Sequence, residues 1–233
     1  MDALRWSATV RGALADALTL LLPVECAGCG AEDIALCATC EAALAPAVVH
    51  GRVPGTDLAL ASALRFEGVP ARVLRALKED GRTSMARALG PALRVAVDSV
   101  AHDGTVIAPM PTSRAAFRRR GYRVPELLAL RAGLPIRRCL RLARATADQR
   151  GLDVEGRRRN VRGSLVAAGV RGLPVIVLDD VVTTGASLED AVRALRAEGA
   201  HVVAAVALAA TPRRHGASAR DGTGGFGASE TAR

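Results

Sequence analysis

Residues 174–187 read PVIVLDDVVTTGAS, and this stretch decides the fold. Val175 to Leu178 is a short apolar run between turn signals, which is typical of a parallel strand buried on both faces. The run ends in two adjacent carboxylates, Asp179 and Asp180. We therefore predict a buried strand whose carboxyl end carries an acid pair.

Residues 174–210 contain a complete strand–helix–strand pattern. Apolar residues recur at helical spacing from Leu188 to Leu195, and Gly199 ends the pattern. A second apolar run follows over 202–210. Because the connections are short, the unit predicts a right-handed parallel crossover. The fold class is therefore α/β, with a parallel sheet flanked by helices.

The turn after the acid pair has the composition of an anion site. In an open parallel sheet, ligands bind beyond the carboxyl ends of the strands. Backbone N–H groups of the turn and the N-terminus of the next helix can converge there on an anion. The candidate phosphate-binding residues are Val181, Val182, Thr183, Thr184, Gly185, Ala186 and Ser187.

The acid pair predicts a second kind of contact beside the anion site. Carboxylates suit sugar hydroxyls, which donate hydrogen bonds, or a divalent cation. A ribose 5-phosphate group has a phosphate at one end and a diol in its middle, so it satisfies both halves. The alternative is an ordinary strand–helix turn with Thr or Ser as the helix cap, which leaves the adjacent acids unexplained.

Length and composition limit the other classes of function. The 233 residues suffice for one α/β domain with a small appendage. With one Trp, one Tyr and three Phe, stacking on single-stranded nucleic acid has little support. The net charge is +9, but only Lys78 among the 32 basic residues is a lysine, which indicates a bias toward Arg. The charge fits phosphates and pyrophosphates as well as DNA, or a basic solvated surface.

Four of the five cysteines form two C-x-x-C knuckles, Cys26 with Cys29 and Cys37 with Cys40. Zinc prefers four soft ligands, such as cysteine thiolates, in a tetrahedral arrangement. In a reducing cytoplasm, this arrangement favours a structural zinc site over disulfides, with a redox C-x-x-C pair as the alternative. The fifth, Cys139, is predicted to be a small buried hydrophobic residue.

We predict four regions along the chain: a helix over 1–22, a four-cysteine zinc module over 23–46, a main domain over 57–212, and a disordered tail over 213–233. Residues 47–56 are interpreted as a linker. No stretch reaches membrane-spanning length, so we expect a cytoplasmic chain without membrane insertion. Within the main domain we predict strands over 58–66 and 106–110 and helices over 69–77, 84–100 and 123–132.

The stretch VIVLDDVVTTGAS resembles the phosphoribosyl-pyrophosphate (PRPP) signature of type I phosphoribosyltransferases. With the cysteine knuckles, it resembles in particular the ComF family, also called GntX, of competence-associated phosphoribosyltransferase-like proteins. Three other stretches support the resemblance, which extends from Cys26 to about Ala210: RALKEDGR (75–82), IAPMPTSRAAFRRRGY (107–122) and ARATADQRGLDVEGRRRNV (143–161).

The resemblance implies a type I phosphoribosyltransferase fold with a small zinc-ribbon-like module. It also implies PRPP and Mg²⁺ as ligands, transfer of phosphoribosyl to an unknown acceptor, and a link to competence and the DNA-uptake machinery. The alternative is a non-catalytic protein that binds PRPP or a nucleotide in DNA uptake or regulation.

By the same resemblance, Asp179 and Asp180 contact the ribose hydroxyls, directly or through Mg²⁺, and the turn after them holds the 5-phosphate. The other expected site residues contact pyrophosphate or belong to a mobile hood over the reacting centre: Pro111, Thr112, Ser113, Arg114, Arg144, Gln149, Arg158, Asn160 and Lys78.

Overall fold

The computed structural model of the protein describes residues 24–143 and 163–212. Strands and helices are interspersed along these residues, as the α/β prediction requires. The elements are α1 Ala38–Ala42, β1 Val49–Arg52, β2 Ala59–Arg65, α2 Gly68–Lys78, α3 Met85–Asp98, β3 Val106–Pro109, α4 Arg114–Arg120, α5 Val124–Arg131, β4 Leu140–Leu142, β5 Leu165–Ala167, β6 Pro174–Val182, α6 Ala186–Ala197 and β7 His201–Ala210.

The main sheet has five strands in the order β1-β2-β7-β6-β3. Strands β2, β7, β6 and β3 pair in parallel, and β1 is antiparallel to β2 at one edge. Strand β6 therefore lies between two parallel neighbours, which agrees with its uninterrupted apolar run. The fold class, a mostly parallel sheet in an α/β arrangement, is confirmed.

Helices cover both faces of the sheet. Because successive strand residues face opposite sides, Ile176 and Leu178 enter one core and Val175 and Val177 enter the other. All four are fully buried. The first core includes residues of α2, α3 and α5, and the second includes residues of α6: Leu74, Leu93 and Leu128 in the first, Leu188 and Leu195 in the second.

Two expectations about local structure are corrected. The stretch 47–56, interpreted as a linker, contains strand β1, which pairs with β2 from Val49 to Arg52. The sheet therefore begins before residue 57. Strand β6 also continues through the acid pair to Val182, because its ladder with β7 extends that far.

The other elements predicted for the main domain are present, with ends shifted by a few residues. The short antiparallel pair of β4 and β5 brackets residues 144–162, which lie outside the described part. The predictions for 1–22 and 213–233 also fall outside it. Among the described helices, none combines the length and the apolar character that a membrane crossing requires.

Candidate functional site

The acid pair lies in the last part of β6, where the strand is only partly buried. The carboxylate Oδ1 of Asp179 accepts a hydrogen bond of 2.8 Å from the backbone N–H of Asp180. Burial raises the pKa of Asp179 to about 8, and the negative charge of Asp180 adds to the rise. Burial therefore disfavours the charged form of the Asp179 carboxyl in the free protein.

Within residues 24–143 and 163–212, Lys78 is the cation paired with this acid pair. Its Nζ lies 3.0 Å from Oδ2 of Asp180. Lys78 is the last residue of α2, and two side chains from the region after β3 hold the end of that helix. The Nε of Arg120 donates to the carbonyl of Lys78 at 2.7 Å, and the hydroxyl of Tyr122 donates to the carbonyl of Leu77. The resemblance named Lys78 but not its ion pair, because the two residues are far apart in the sequence.

The turn from Thr183 to Ser187 leads from β6 into α6 and leaves the start of the helix without a side-chain cap. Gly185 is the N-cap residue and has no side chain to cap with. The first hydrogen bond of the helix runs from the N–H of Glu189 to the carbonyl of Gly185 at 2.9 Å. The preceding N–H groups have no acceptor inside the helix. They are available to an anion, and the helix dipole favours one there.

This turn forms a small hollow rather than a packed surface. A cavity of about 40 Å³ is lined by Asp179 and residues 181–188. Thr183, Thr184 and Ser187 are exposed at its rim, so their hydroxyl groups can donate to a ligand. Asp179 and the uncapped helix start therefore adjoin one cavity, and Asp180 is the next residue of β6.

The loop between β1 and β2 supports the turn from behind. Gly185 has a φ of +79°, in the left-handed region. A Cβ added there would lie 2.7 Å from Cγ of Pro54, closer than real side chains approach. The same loop is tied to α6 by an ion pair of 3.2 Å between Asp57 and Arg196. Only glycine fits between this loop and the turn.

The segment expected to contact pyrophosphate, Pro111 to Arg114, follows the carboxyl end of β3. Strand β3 pairs with β6 in parallel, with Pro109 opposite Leu178, so the segment emerges at the same edge of the sheet as the acid pair. Ser113 already has a structural role, because its Oγ accepts a hydrogen bond of 3.2 Å from the N–H of Ala116 and caps α4. Thr112 is half-buried, and Arg114 is exposed.

The four expected hood residues lie outside the described residues: Arg144, Gln149, Arg158 and Asn160. The chain is described again from residue 163, directly after the hood region. Asp190 of α6 is 2 % exposed and accepts hydrogen bonds from the backbone N–H groups of Gly163 and Leu165, at 2.8 and 2.9 Å. Arg193 pairs with Asp190 at 2.7 Å and donates to the carbonyl of Leu165 at 2.8 Å.

Asp190 is a residue that the sequence analysis missed. Burial by itself would raise its pKa, but the hydrogen bonds from Arg193, Gly163 and Leu165 outweigh burial and lower the pKa. The available signal was an acidic residue next to the apolar stripe of an amphipathic helix. Asp190 therefore links the segment after the hood region to α6, the helix that begins directly after the turn from Thr183 to Ser187.

The cysteine module has the geometry of a metal site. The four thiol sulfurs lie within 4.8 Å of one another, and Sγ of Cys29 is 3.7 Å from Sγ of Cys37. Tetrahedral Zn²⁺ with Zn–S bonds of about 2.3 Å separates its sulfurs by about 3.8 Å, so the donor set fits zinc. A hydrogen bond from the N–H of Cys37 lowers the pKa of Cys26 to about 6, while burial raises that of Cys40 to about 12.

The module also contacts the main domain directly. The Nε of Arg72, on α2, donates a hydrogen bond to the carbonyl of Gly28, between the first two cysteines. Arg82 donates at 2.8 Å to the carbonyl of Ala35.

The lone Cys139 is 3 % exposed and lies in the second core, which confirms the prediction of a small buried hydrophobic residue.

Comparison with known proteins gives a family match and several structural similarities. No curated protein matches the chain. A solved structure of the allosteric regulatory enzyme of purine biosynthesis is 24 % identical, with a TM-score of 0.35, over 54 % of this chain and 26 % of that one. UMP synthase of Leishmania donovani is 17 % identical, with a TM-score of 0.38, over 75 % of this chain and 32 % of that one.

Adenine phosphoribosyltransferase of Thermoanaerobacter pseudethanolicus is 18 % identical, with a TM-score of 0.37, over 70 % of this chain and 83 % of that one. The present chain thus spans about a quarter of the length of the purine-biosynthesis enzyme and about a third of the length of UMP synthase. The family model described as the phosphoribosyl transferase domain matches residues 129–226, a region that includes the acid pair, the turn and α6. Residues 129–226 of the chain are thus similar to the phosphoribosyl transferase domain.

Proposed function

We propose that the protein binds PRPP together with Mg²⁺ and transfers the phosphoribosyl group to an acceptor, with release of pyrophosphate. One observation carries the proposal: Asp179, the first acid of the pair, and an uncapped helix N-terminus adjoin one cavity at the carboxyl end of β6. The match of residues 129–226 to the phosphoribosyl transferase domain supports it.

Each part of the ligand has a chemical counterpart in the proposed site. The 5-phosphate would accept hydrogen bonds from the N–H groups of Ala186, Ser187 and Leu188 and from the hydroxyls at the rim. The ribose hydroxyls would donate to Asp179 and Asp180. These oxygen ligands are also of the type that Mg²⁺ prefers, and the bound cation would offset the charge of pyrophosphate.

In the proposed reaction, the bond between C1 of the ribose and the pyrophosphate oxygen breaks, and the acceptor forms the new bond to C1. The contribution of the protein would be to position the two reactants and to stabilise the negative charge that develops on pyrophosphate. Arg114 and Lys78 are the cations that we assign to that charge. The four hood residues of the sequence analysis are proposed to exclude water.

Calorimetry with PRPP tests the binding step. We expect binding that requires Mg²⁺ and is lost in Asp180→Asn, because the variant loses a ligand for the sugar or the cation. Asp103→Asn is the matched control, since Asp103 is exposed and lies in the turn before β3. Wild-type protein that binds no PRPP with Mg²⁺ would contradict the proposal.

Release of pyrophosphate, measured with a panel of nucleobases, tests the transfer step. Turnover with any base supports the enzyme. PRPP or nucleotide binding without turnover across the panel would favour the alternative, a non-catalytic binding protein. Membership of the ComF family, a cytoplasmic location and a role beside the DNA-uptake machinery stay predictions. Direct DNA affinity with a steep salt dependence would support the last of these.

A further inference from the structure

The ion pair between Lys78 and Asp180 is more than a surface contact. The side chain of Lys78 is 26 % exposed and that of Asp180 only 13 %, with 3.0 Å between Nζ and Oδ2. Charges that are partly buried are screened less by salt than exposed ones. The ammonium therefore neutralises part of the negative charge of the acid pair while no ligand is present.

The backbone that carries this ammonium is fixed from outside its own helix. Lys78 ends α2, where the helix dipole favours a cation. Arg120 and Tyr122 bond to the last carbonyls of α2, those of Lys78 and Leu77. Both side chains follow the segment from Pro111 to Arg114, so the same stretch of chain provides the proposed pyrophosphate contacts and the support for Lys78.

The residue type is also specific. Lys78 is the only lysine in a chain with 32 basic residues. A guanidinium is a planar fork that favours bidentate pairing, whereas an ammonium is a compact point charge with three rotatable donors. Such a charge can occupy the space of a small cation beside one carboxylate oxygen and can move by rotation of its side chain.

We propose that Lys78 is the resident counter-cation of the acid pair: its ammonium holds the place on Asp180 that a divalent cation takes, and the cation binds only by displacing it. The inference rests on the proposed function, because it concerns the same acids. The displaced ammonium is then free to pair with an anionic diphosphate. Bare Mg²⁺ is bound weakly, whereas the cation that arrives with its diphosphate is bound well.

The test measures Mn²⁺ binding to the full-length, zinc-loaded protein without any phosphate ligand, by electron paramagnetic resonance of free Mn²⁺ and by calorimetry. We expect weak binding by wild type and at least about tenfold tighter binding by Lys78→Met, since the competing charge is gone. Lys78→Arg keeps a positive charge near Asp180, and its planar fork is displaced no more readily than the ammonium, so its Mn²⁺ affinity should not exceed that of wild type. Adding Asp180→Asn to Lys78→Met should remove the gain.

Arg75→Met is the matched control. Arg75 is exposed on the same helix, one turn before Lys78, and its guanidinium lies over the ring of Phe66 at 5.5 Å. The variant removes one positive charge without touching the acid pair, so its Mn²⁺ affinity should equal that of wild type. Lys78→Gln gives a second test of the same charge removal if Lys78→Met does not fold.

The inference is overturned if Lys78→Met and Lys78→Gln bind Mn²⁺ no more tightly than wild type, or if Arg75→Met shows the same gain. PRPP calorimetry on wild type separates this outcome from failure of the proposed function. A gain in Lys78→Met without PRPP binding by wild type keeps the counter-cation and rejects the function. PRPP binding by wild type without a gain in Lys78→Met keeps the proposed function and rejects the counter-cation.

Discussion

Gly185→Ala tests whether the loop between β1 and β2 shapes the turn from Thr183 to Ser187, the proposed phosphate site. The substitution has two costs. An alanine with φ of +79° is in the left-handed region, which costs about 1–2 kcal/mol. Its Cβ would also lie 2.7 Å from Cγ of Pro54, and a clash of this kind in a packed region costs about 1–3 kcal/mol. We therefore expect a loss of about 2–5 kcal/mol in the free energy of unfolding.

Gly172→Ala separates these two costs. Gly172 has a φ of +72°, and an added Cβ would meet nothing within 4 Å, so this control carries the backbone strain alone. The clash can also be removed from the other side. In Pro54→Ala the ring atoms Cγ and Cδ are absent, and the remaining Cβ lies 3.4 Å from the new one, in ordinary contact. The double variant should recover the part of the loss that exceeds Gly172→Ala.

The assay is urea unfolding followed by circular dichroism at saturating zinc, with PRPP affinity measured in parallel. Gly185→Ala should lose both stability and PRPP binding, whereas Gly172→Ala should keep the wild-type affinity, because it is not part of the turn. Equal stability losses in the two variants, or no recovery with Pro54→Ala, would show that the loop does not press on the turn.

Three other predictions concern the site and the module. Because the pKa of Asp179 is raised from 3.8 to about 8, the free energy of unfolding of the ligand-free protein should fall as pH rises through that window. Asp179→Asn should remove this trend from melting curves between pH 4 and 9. Asp190→Ala should cost about 2–4 kcal/mol in urea unfolding, since the backbone N–H groups of Gly163 and Leu165 lose their acceptor. By contrast, Asp57→Ala removes one partner of an exposed ion pair and should cost less than about 1 kcal/mol. Zinc removal by a chelator should lower the melting temperature, and Cys29→Ser should abolish the difference between chelated and zinc-loaded protein.

Local patterns in the sequence predicted the parts of this molecule that depend on neighbours along the chain. The apolar run before Asp179 predicted a strand buried on both faces, and the spacing of the cysteines predicted a cluster that the structure assembles. The end of β6 was harder to predict, since two acids argue against a strand. Its ladder continues because β7 offers Ala207 and Ala210 as partners there.

Contacts between distant segments left little trace in the sequence. All four residues of β1 are exposed, so no apolar alternation marked it as a strand, and only its pairing with β2 defines it. The ion pair of Lys78 with Asp180 and the position of Pro54 behind Gly185 likewise depend on how the sheet orders its strands. Such pairs became visible only once the topology was known.

Helix α2 contacts both the cysteine module and the acid pair. In its second turn, Arg72 donates a hydrogen bond to the backbone of the cysteine module, and at its end Lys78 faces the acid pair. Its 11 residues span about 16 Å. We therefore expect oxidation or demetallation of the thiols to remove a contact from the helix that positions the ammonium of Lys78, and so to weaken binding at the proposed sugar site.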